Sequence, residues 1–256
     1  MEKRKLIDTH AHLYLEEFAA DLPGIMQRSD QEGVGRIYLP AIDSAHHDSM
    51  LKLEALYPGK CLPMMGLHPC YVKENYEEEL RLVEEAFAKR AFAAVGEIGL
   101  DYYWDRNFDK EQALAFERQI GLSLRYAVPV VIHSRNATDE CIAQVRRHSG
   151  VTGIFHCFSG NIEQAREIIG LGMYLGIGGV VTYKNSGLAE TVSAIPLEHI
   201  VLETDAPYLS PAPLRGKRNE SSYLKYVVKK IAEVKGVAEE EVAAVTTENA
   251  LKVFGG

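Results

Sequence analysis

The sequence predicts an α/β fold, a single closed (β/α)8 barrel of the TIM type running from residue 1 to residue 256, and three observations carry that expectation. Eight short runs of aliphatic and β-branched residues alternate with segments of helical period, with no linker or shift in composition between them. The runs are apolar almost throughout, which marks strands buried on both faces, as parallel strands are. Side chains able to bind metal recur at or just beyond the C-terminal ends of these runs, the end at which such barrels carry active sites.

The strand candidates in order are Lys5–His10, Arg36–Ala41, Leu62–Leu67, Ala93–Ile98, Val128–His133, Gly153–Phe158, Tyr174–Gly178 and Ile200–Asp205. Between them, Leu80, Val83 and Phe87 fall on one helical face. So do Ala113, Phe116, Ile120, Leu124 and Ala127, and later Ile162, Ala165 and Ile169. Asp43-Ser44 is a helix-cap pair, which puts His46 and His47 in a first turn; His148 and His199 fall in connections. A further helix, from about Ala238 to Phe254, follows the last unit and is expected to pack outside the barrel.

Composition is that of an ordinary soluble protein, with 46% hydrophobic and 25% charged residues. No apolar run is long enough for a membrane span, and the start Met1-Glu2-Lys3-Arg4-Lys5 lacks the apolar stretch of a signal peptide. A cytoplasmic protein is expected, with no membrane association and no obligate protein partner. Cys61, Cys70, Cys141 and Cys157 show no C-x-x-C spacing, so no zinc knuckle or disulfide framework is expected. Strand alternation would turn Cys157 outward if its neighbour His156 points into the barrel, leaving a packed thiol. The net charge of −8 argues against binding nucleic acid through the global field. A local cluster can still hold phosphates, and Arg215-Gly216-Lys217-Arg218 is one.

Six donors form the candidate site: His10, His12, Glu97, His133, His156 and Asp205. His10 and His12 share a strand face, with Cα atoms roughly 7 Å apart at about 3.3 Å per residue, close enough for both rings to reach one cation. Glu97, flanked by Gly96 and Gly99, can bridge two cations with its two oxygens. His10, His12 and Asp205 would then complete one metal site, and His133 and His156 the other. Asp205 is also the candidate general base, orienting a water and taking its proton. Glu203 and Asp8 share faces with these donors but lie deeper, in supporting positions. His68 and Arg135 reach the mouth as candidate substrate contacts, as do Arg215 and Lys217 for phosphate. Tyr102, Tyr103 and Trp104 form a loop able to stack on a base or sugar. Imidazole-rich ligation favours Zn²⁺, Mn²⁺ or Fe over Mg²⁺.

These segments resemble the TatD family of metal-dependent deoxyribonucleases. The matching pieces are Asp8-Thr9-His10-Ala11-His12, Gly66-Leu67-His68-Pro69, Gly96-Glu97-Ile98-Gly99-Leu100-Asp101 and His133-Ser134-Arg135. They continue with His156-Cys157-Phe158-Ser159-Gly160, Leu202-Glu203-Thr204-Asp205-Ala206-Pro207-Tyr208-Leu209 and Arg215-Gly216-Lys217-Arg218-Asn219-Glu220. The resemblance implies a TIM-type barrel and two divalent metal ions (Mg, Mn or Zn). It also implies nucleic acid as substrate, cleaved at phosphodiester bonds, often from the 3′ end of single strands, by a two-metal-activated hydroxide. The family's ligand roles fall on His10, His12, Glu97, His133, His156 and Asp205. Ser221 stands where the family usually has proline. The same metal cage could instead hydrolyse an amide, lactone or aminoacyl ester.

Overall fold

The computed structural model describes residues 6–255. Among them are eight strands: β1 Leu6–Asp8, β2 Val34–Leu39, β3 Cys61–Pro63, β4 Val95–Asp101, β5 Val130–Arg135, β6 Gly153–Phe155, β7 Tyr174–Ile177 and β8 Ile200–Leu202. All pairings are parallel, in the orders β1-β2-β3 and β4-β5-β6-β7-β8. Parallel bridges Met65–Val95 and Ala11–Ala206 join the two groups, and the Thr9 N–H donates to the Leu202 carbonyl at 2.9 Å. The ring is therefore closed, as the repeated βα pattern predicted. Lys5, the first residue of the expected β1, lies outside the described residues.

The helices are α1 Leu22–Gln31, α2 His47–Leu56, α3 Tyr76–Lys89, α4 Asp109–Tyr126, α5 Thr138–Arg146, α6 Ile162–Gly170, α7 Leu188–Ala194, α8 Leu224–Lys235 and α9 Glu239–Phe254. Leu80, Val83 and Phe87 face inward on α3, as do Phe116 and Ile120 on α4. Leu124 is exposed instead, and Ala127 caps α4 in the left-handed conformation. On α6 the buried isoleucine is Ile168, with Ile169 at the margin. None of the described helices is long and apolar enough to cross a membrane.

Strand ends differ from the expected ones in a way that matters for the site. β6 and β8 stop at Phe155 and Leu202, before the polar residues that follow them. β4 and β5 run on to Asp101 and Arg135, so Glu97 and His133 lie within strands. Gly99 makes that extension possible. Its φ is +136°, and a Cβ there would sit 2.0 Å from the His133 carbonyl oxygen, so only glycine keeps β4 paired with β5.

Two apolar layers surround the sheet. The larger lies between strands and helices. The smaller contains Ile7, Tyr38, Met64, Ala94, Val131, Ile154 and Val201, with Tyr174 beside them, one residue from each strand or its edge. Val131 and Ile154 are two residues before His133 and His156, so this layer is the barrel floor beneath the donors. The last turn of α9 closes that floor: Ala250, Leu251 and Phe254 pack on it, with the Phe254 ring stacked 3.7 Å from Tyr38. The helix thus packs outside the barrel, as expected, with its C-terminal turn covering the open bottom of the ring. Periodicity showed a buried face without showing what would cover it.

Candidate metal centre

Beyond β1 the chain keeps an extended course, bridged at Ala11, so residue alternation persists past the strand. His10 and His12 consequently converge, with Nε2 atoms 3.3 Å apart. Glu97 lies between two groups of imidazoles. Its Oε2 is 3.1 Å from His10 Nε2 and 3.6 Å from His12 Nε2. Its Oε1 is 2.7 Å from His156 Nε2, 2.9 Å from His133 Nδ1 and 3.2 Å from His68 Nε2. Asp205, held at φ 56° in a left-handed turn just after β8, brings Oδ1 to 3.5 Å from His12 Nε2 and 3.7 Å from His10 Nε2. All six expected donors, and His68, meet in one cluster, with His10, His12, Glu97 and His156 buried and His68, His133 and Asp205 partly exposed.

Hydrogen bonds behind the rings fix which nitrogens face inward. The Tyr14 hydroxyl donates to the Pro40 carbonyl at 2.6 Å, so it accepts the His12 Nδ1–H at 3.0 Å. The lone pair of His12 Nε2 is then aimed at Glu97 and Asp205. His133 is held between two carboxylates, Nε2 2.9 Å from Asp101 Oδ2 and Nδ1 2.9 Å from Glu97 Oε1. His156 Nδ1 faces Glu203 Oε1 at 3.6 Å, and that oxygen accepts the Cys157 N–H at 2.6 Å. His68 is the exception. Its Nδ1 accepts the Cys70 N–H at 3.0 Å, so the neutral ring carries its proton on Nε2 and donates to Glu97. It offers the centre a hydrogen bond rather than a lone pair.

Imidazole nitrogens this close to carboxylate oxygens share either a proton or a cation with them, and the N/O donor set suits a divalent ion. Burial pushes the Glu97 carboxyl up, but His156, His68 and His10 together hold it well below the usual carboxylate range. Burial likewise opposes ionisation of Asp101 and Asp205, yet His133 lowers the first and His12 the second. Burial lowers His10 and His68. It also opposes charging of His156 and His133, but Glu97 with Glu203 raises the first, and Asp101 with Glu97 the second.

Tyr14 and Asp101 were not singled out as functional in the sequence. Tyr14 continues the i, i+2 alternation of His10 and His12, a signal that was available; Asp101 depends on the unexpectedly long β4. Asp8 does not contact the His10 ring. Its carboxylate accepts from Thr204 N at 3.0 Å and Thr204 Oγ1 at 2.7 Å, tying β1 to the segment after β8, and burial raises its pKa to about 7. Cys157 does not point outward. At φ 47° the backbone breaks strand alternation, and the thiol lies in the field of Asp205, Glu203 and Glu97, where burial pushes its pKa well up.

Among the expected substrate contacts, Arg135 stands at the rim with its guanidinium 3.8 Å over Tyr103 and 5.3 Å from Trp104. Tyr102 turns the other way, packing on the core with Arg106 over its ring at 4.5 Å, so the structure withdraws it from the mouth. Loop aromatics have no period from which to read that choice. Arg215 lies 4.5 Å over Tyr183 and lines, with Lys217, an open depression of about 490 Å³ beside Pro207 and Tyr208. Arg218 is held by Asp21 at 2.7 Å.

A closed parallel (β/α)8 ring with histidines and carboxylates converging at its C-terminal mouth defines a barrel hydrolase of the metal-dependent class. Comparison with known proteins narrows the class. The family described as TatD related DNase matches residues 7–255, and the chain belongs to that family. It is 39% identical over 252 residues to the uncharacterized metal-dependent hydrolase YabD of Bacillus subtilis (strain 168), covering 97% of this chain and 98% of that one. It is 32% identical over 255 residues to YjjV of Escherichia coli (strain K12), another metal-dependent hydrolase by its description, covering 98% of each. The crystal structure of YjjV, a TatD homolog, superposes with a TM-score of 0.93 at 31% identity over the whole of both chains.

Proposed function

We propose that this metal-dependent hydrolase is a deoxyribonuclease-type phosphodiesterase that removes nucleotides from the 3′ end of single-stranded nucleic acid, using two divalent cations. The observation that carries the two-cation reading is the division of labour on Glu97, whose two oxygens face different imidazoles. His10, His12 and Asp205 would hold one ion, His133 and His156 the other, with Glu97 shared. Bound there, divalent cations supply Lewis acidity, lower the pKa of a water and neutralise charge developing on the phosphate. Asp205 orients the attacking water and accepts its proton, a role suited to a carboxylate kept ionised by His12. His68 would pass its Nε2–H hydrogen bond from Glu97 Oε1 to a non-bridging phosphate oxygen when substrate binds. Arg135, Arg215 and Lys217 supply cationic groups at the rim for neighbouring phosphates.

The test is hydrolysis of 3′-labelled single-stranded DNA by metal-loaded protein, run beside amide, lactone and aminoacyl-ester substrates. Glu97→Ala and Asp205→Ala should each lower nuclease turnover by roughly 100-fold or more, with the circular dichroism of the folded protein retained. Turnover of a lactone or amide without any cleavage of DNA would replace this reading with the other hydrolase chemistry.

A further inference from the structure

Among the described residues, four of the five exposed aromatic side chains belong to loops at one end of the barrel: Tyr71 after β3, Tyr103 and Trp104 after β4, and Tyr208 after β8. Aromatic surface left in water around the rim of one mouth points to a binding surface there. It also lies against the metal centre. The Tyr208 ring is 6.2 Å from that of His12, and the Tyr71 ring is 5.9 Å from that of His68.

Two arginines at this rim are stacked on rings rather than paired with acids. Arg135 lies on Tyr103 with Trp104 beside it, and Arg215 lies on Tyr183. Among the described residues neither enters an ion pair, so the N–H edges of both guanidiniums stay free while their faces are covered. β4 and β8 stand opposite each other in an eight-strand ring, which puts the Tyr103 and Tyr208 clusters on opposite sides of the mouth. Room for a continuing chain lies on the Arg215 side. Depressions of about 490 and 510 Å³ flank that side chain, the first with Tyr208 and Lys217, the second with Tyr183 and Lys184.

We propose that the terminal base of a single strand stacks on the Tyr103–Arg135–Trp104 cluster while the body of the strand leaves across Tyr208 and the Tyr183–Arg215 pair. The scissile linkage then spans the mouth above Glu97 and Asp205. This path rests on the phosphodiesterase reading above and adds direction and selectivity to it. Every base has a π-face, so the clusters accept any sequence. A paired end hides those faces in its own stack and is refused.

Trp104 is the only tryptophan in the chain, so its fluorescence reports the first cluster directly. The experiment titrates metal-loaded protein with single-stranded oligonucleotides of increasing length, each with a non-hydrolysable phosphorothioate at the 3′-terminal linkage and a 5′ dye for anisotropy. Single strands should quench Trp104, and a blunt duplex should not. Tyr103→Ala should weaken binding by roughly 5- to 150-fold at every length, with Tyr103→Phe restoring it. The penalty of Arg215→Ala should instead grow as the strand lengthens. Strands that bind by anisotropy without changing Trp104, or the same length dependence in both variants, would overturn the path. If ordinary strands are cleaved while Trp104 stays silent, the path fails and the phosphodiesterase reading stands. If Trp104 responds with the expected length dependence but ordinary strands are never cleaved, the hydrolytic reading fails and the binding path stands. No binding at all sinks both.

Discussion

Glu203 is fully buried behind His156, and its Oε2 has no hydrogen-bond partner. That oxygen occupies the space a side chain at residue 176 would need. A Cβ on Gly176 would come within 2.1 Å of Oε2 and 3.1 Å of the His156 Cα. Gly176→Ala therefore has to displace Glu203, and with it the carboxylate that faces His156 Nδ1. Loss of such a partner behind a metal-bound histidine typically costs about 10- to 100-fold in metal affinity. We expect that loss at the ion proposed for His133 and His156, with a smaller change at the one proposed for His10 and His12. Chelator competition on the variant measures both. Two unchanged affinities would show that Glu203 has no part in holding the ring.

Elements that carry no donor hold the mouth in shape. Arg28 on α1 makes a two-pronged bond to Glu220, Nε to Oε1 at 2.7 Å and Nη2 to Oε2 at 2.5 Å, fastening α1 to the segment between β8 and α8. Burial opposes ionisation of Glu220, but Arg28 and Ser222 hold its pKa below the usual glutamate value. A depressed folded pKa gives stability that is fully present above the unfolded value of about 4.3 and is lost as pH falls through the folded one. Glu220→Gln should cost about 1–3 kcal/mol at pH 7 and make urea midpoints less sensitive to acid between about pH 5 and pH 3. Parallel midpoints for wild type and variant across that range would remove the pair from the acid response. This scale also shows what the chain disclosed. The ring, its order and the six side chains that converge at the candidate site were legible, because strand burial and polar strand ends leave local patterns. Contacts between distant segments were not: Glu203 against Gly176, Asp101 against His133 and the α9 turn under the floor need the closed barrel to bring them together. Cys157 was misplaced because one left-handed residue is enough to end alternation.

Across the whole molecule, net charge and the proposed binding surface have opposite signs. The chain carries a net −8, yet its mouth presents Arg135, Lys184, Arg215 and Lys217, none of them in an ion pair among the described residues. At physiological ionic strength screening acts over about 8 Å, so a docked strand feels these four cations, and Glu17 beside Arg215 and Lys217, far more than acids elsewhere on the chain. The acids matter at long range, where they slow approach and keep duplex nucleic acid from coating the surface. Each phosphate neutralised on a single strand contributes roughly −0.7 to the slope of log affinity against log salt, so four cations set a limit of about −3. Part of that slope should be offset at low salt, because added ions also relieve the global repulsion. We therefore expect a shallow, curved salt dependence for single-strand binding, steepest at high salt, and anisotropy titrations over a salt series measure it. A straight line steeper than this limit would mean that phosphates are held at a surface other than the mouth, and the path across Tyr208 and Arg215 would have to be redrawn.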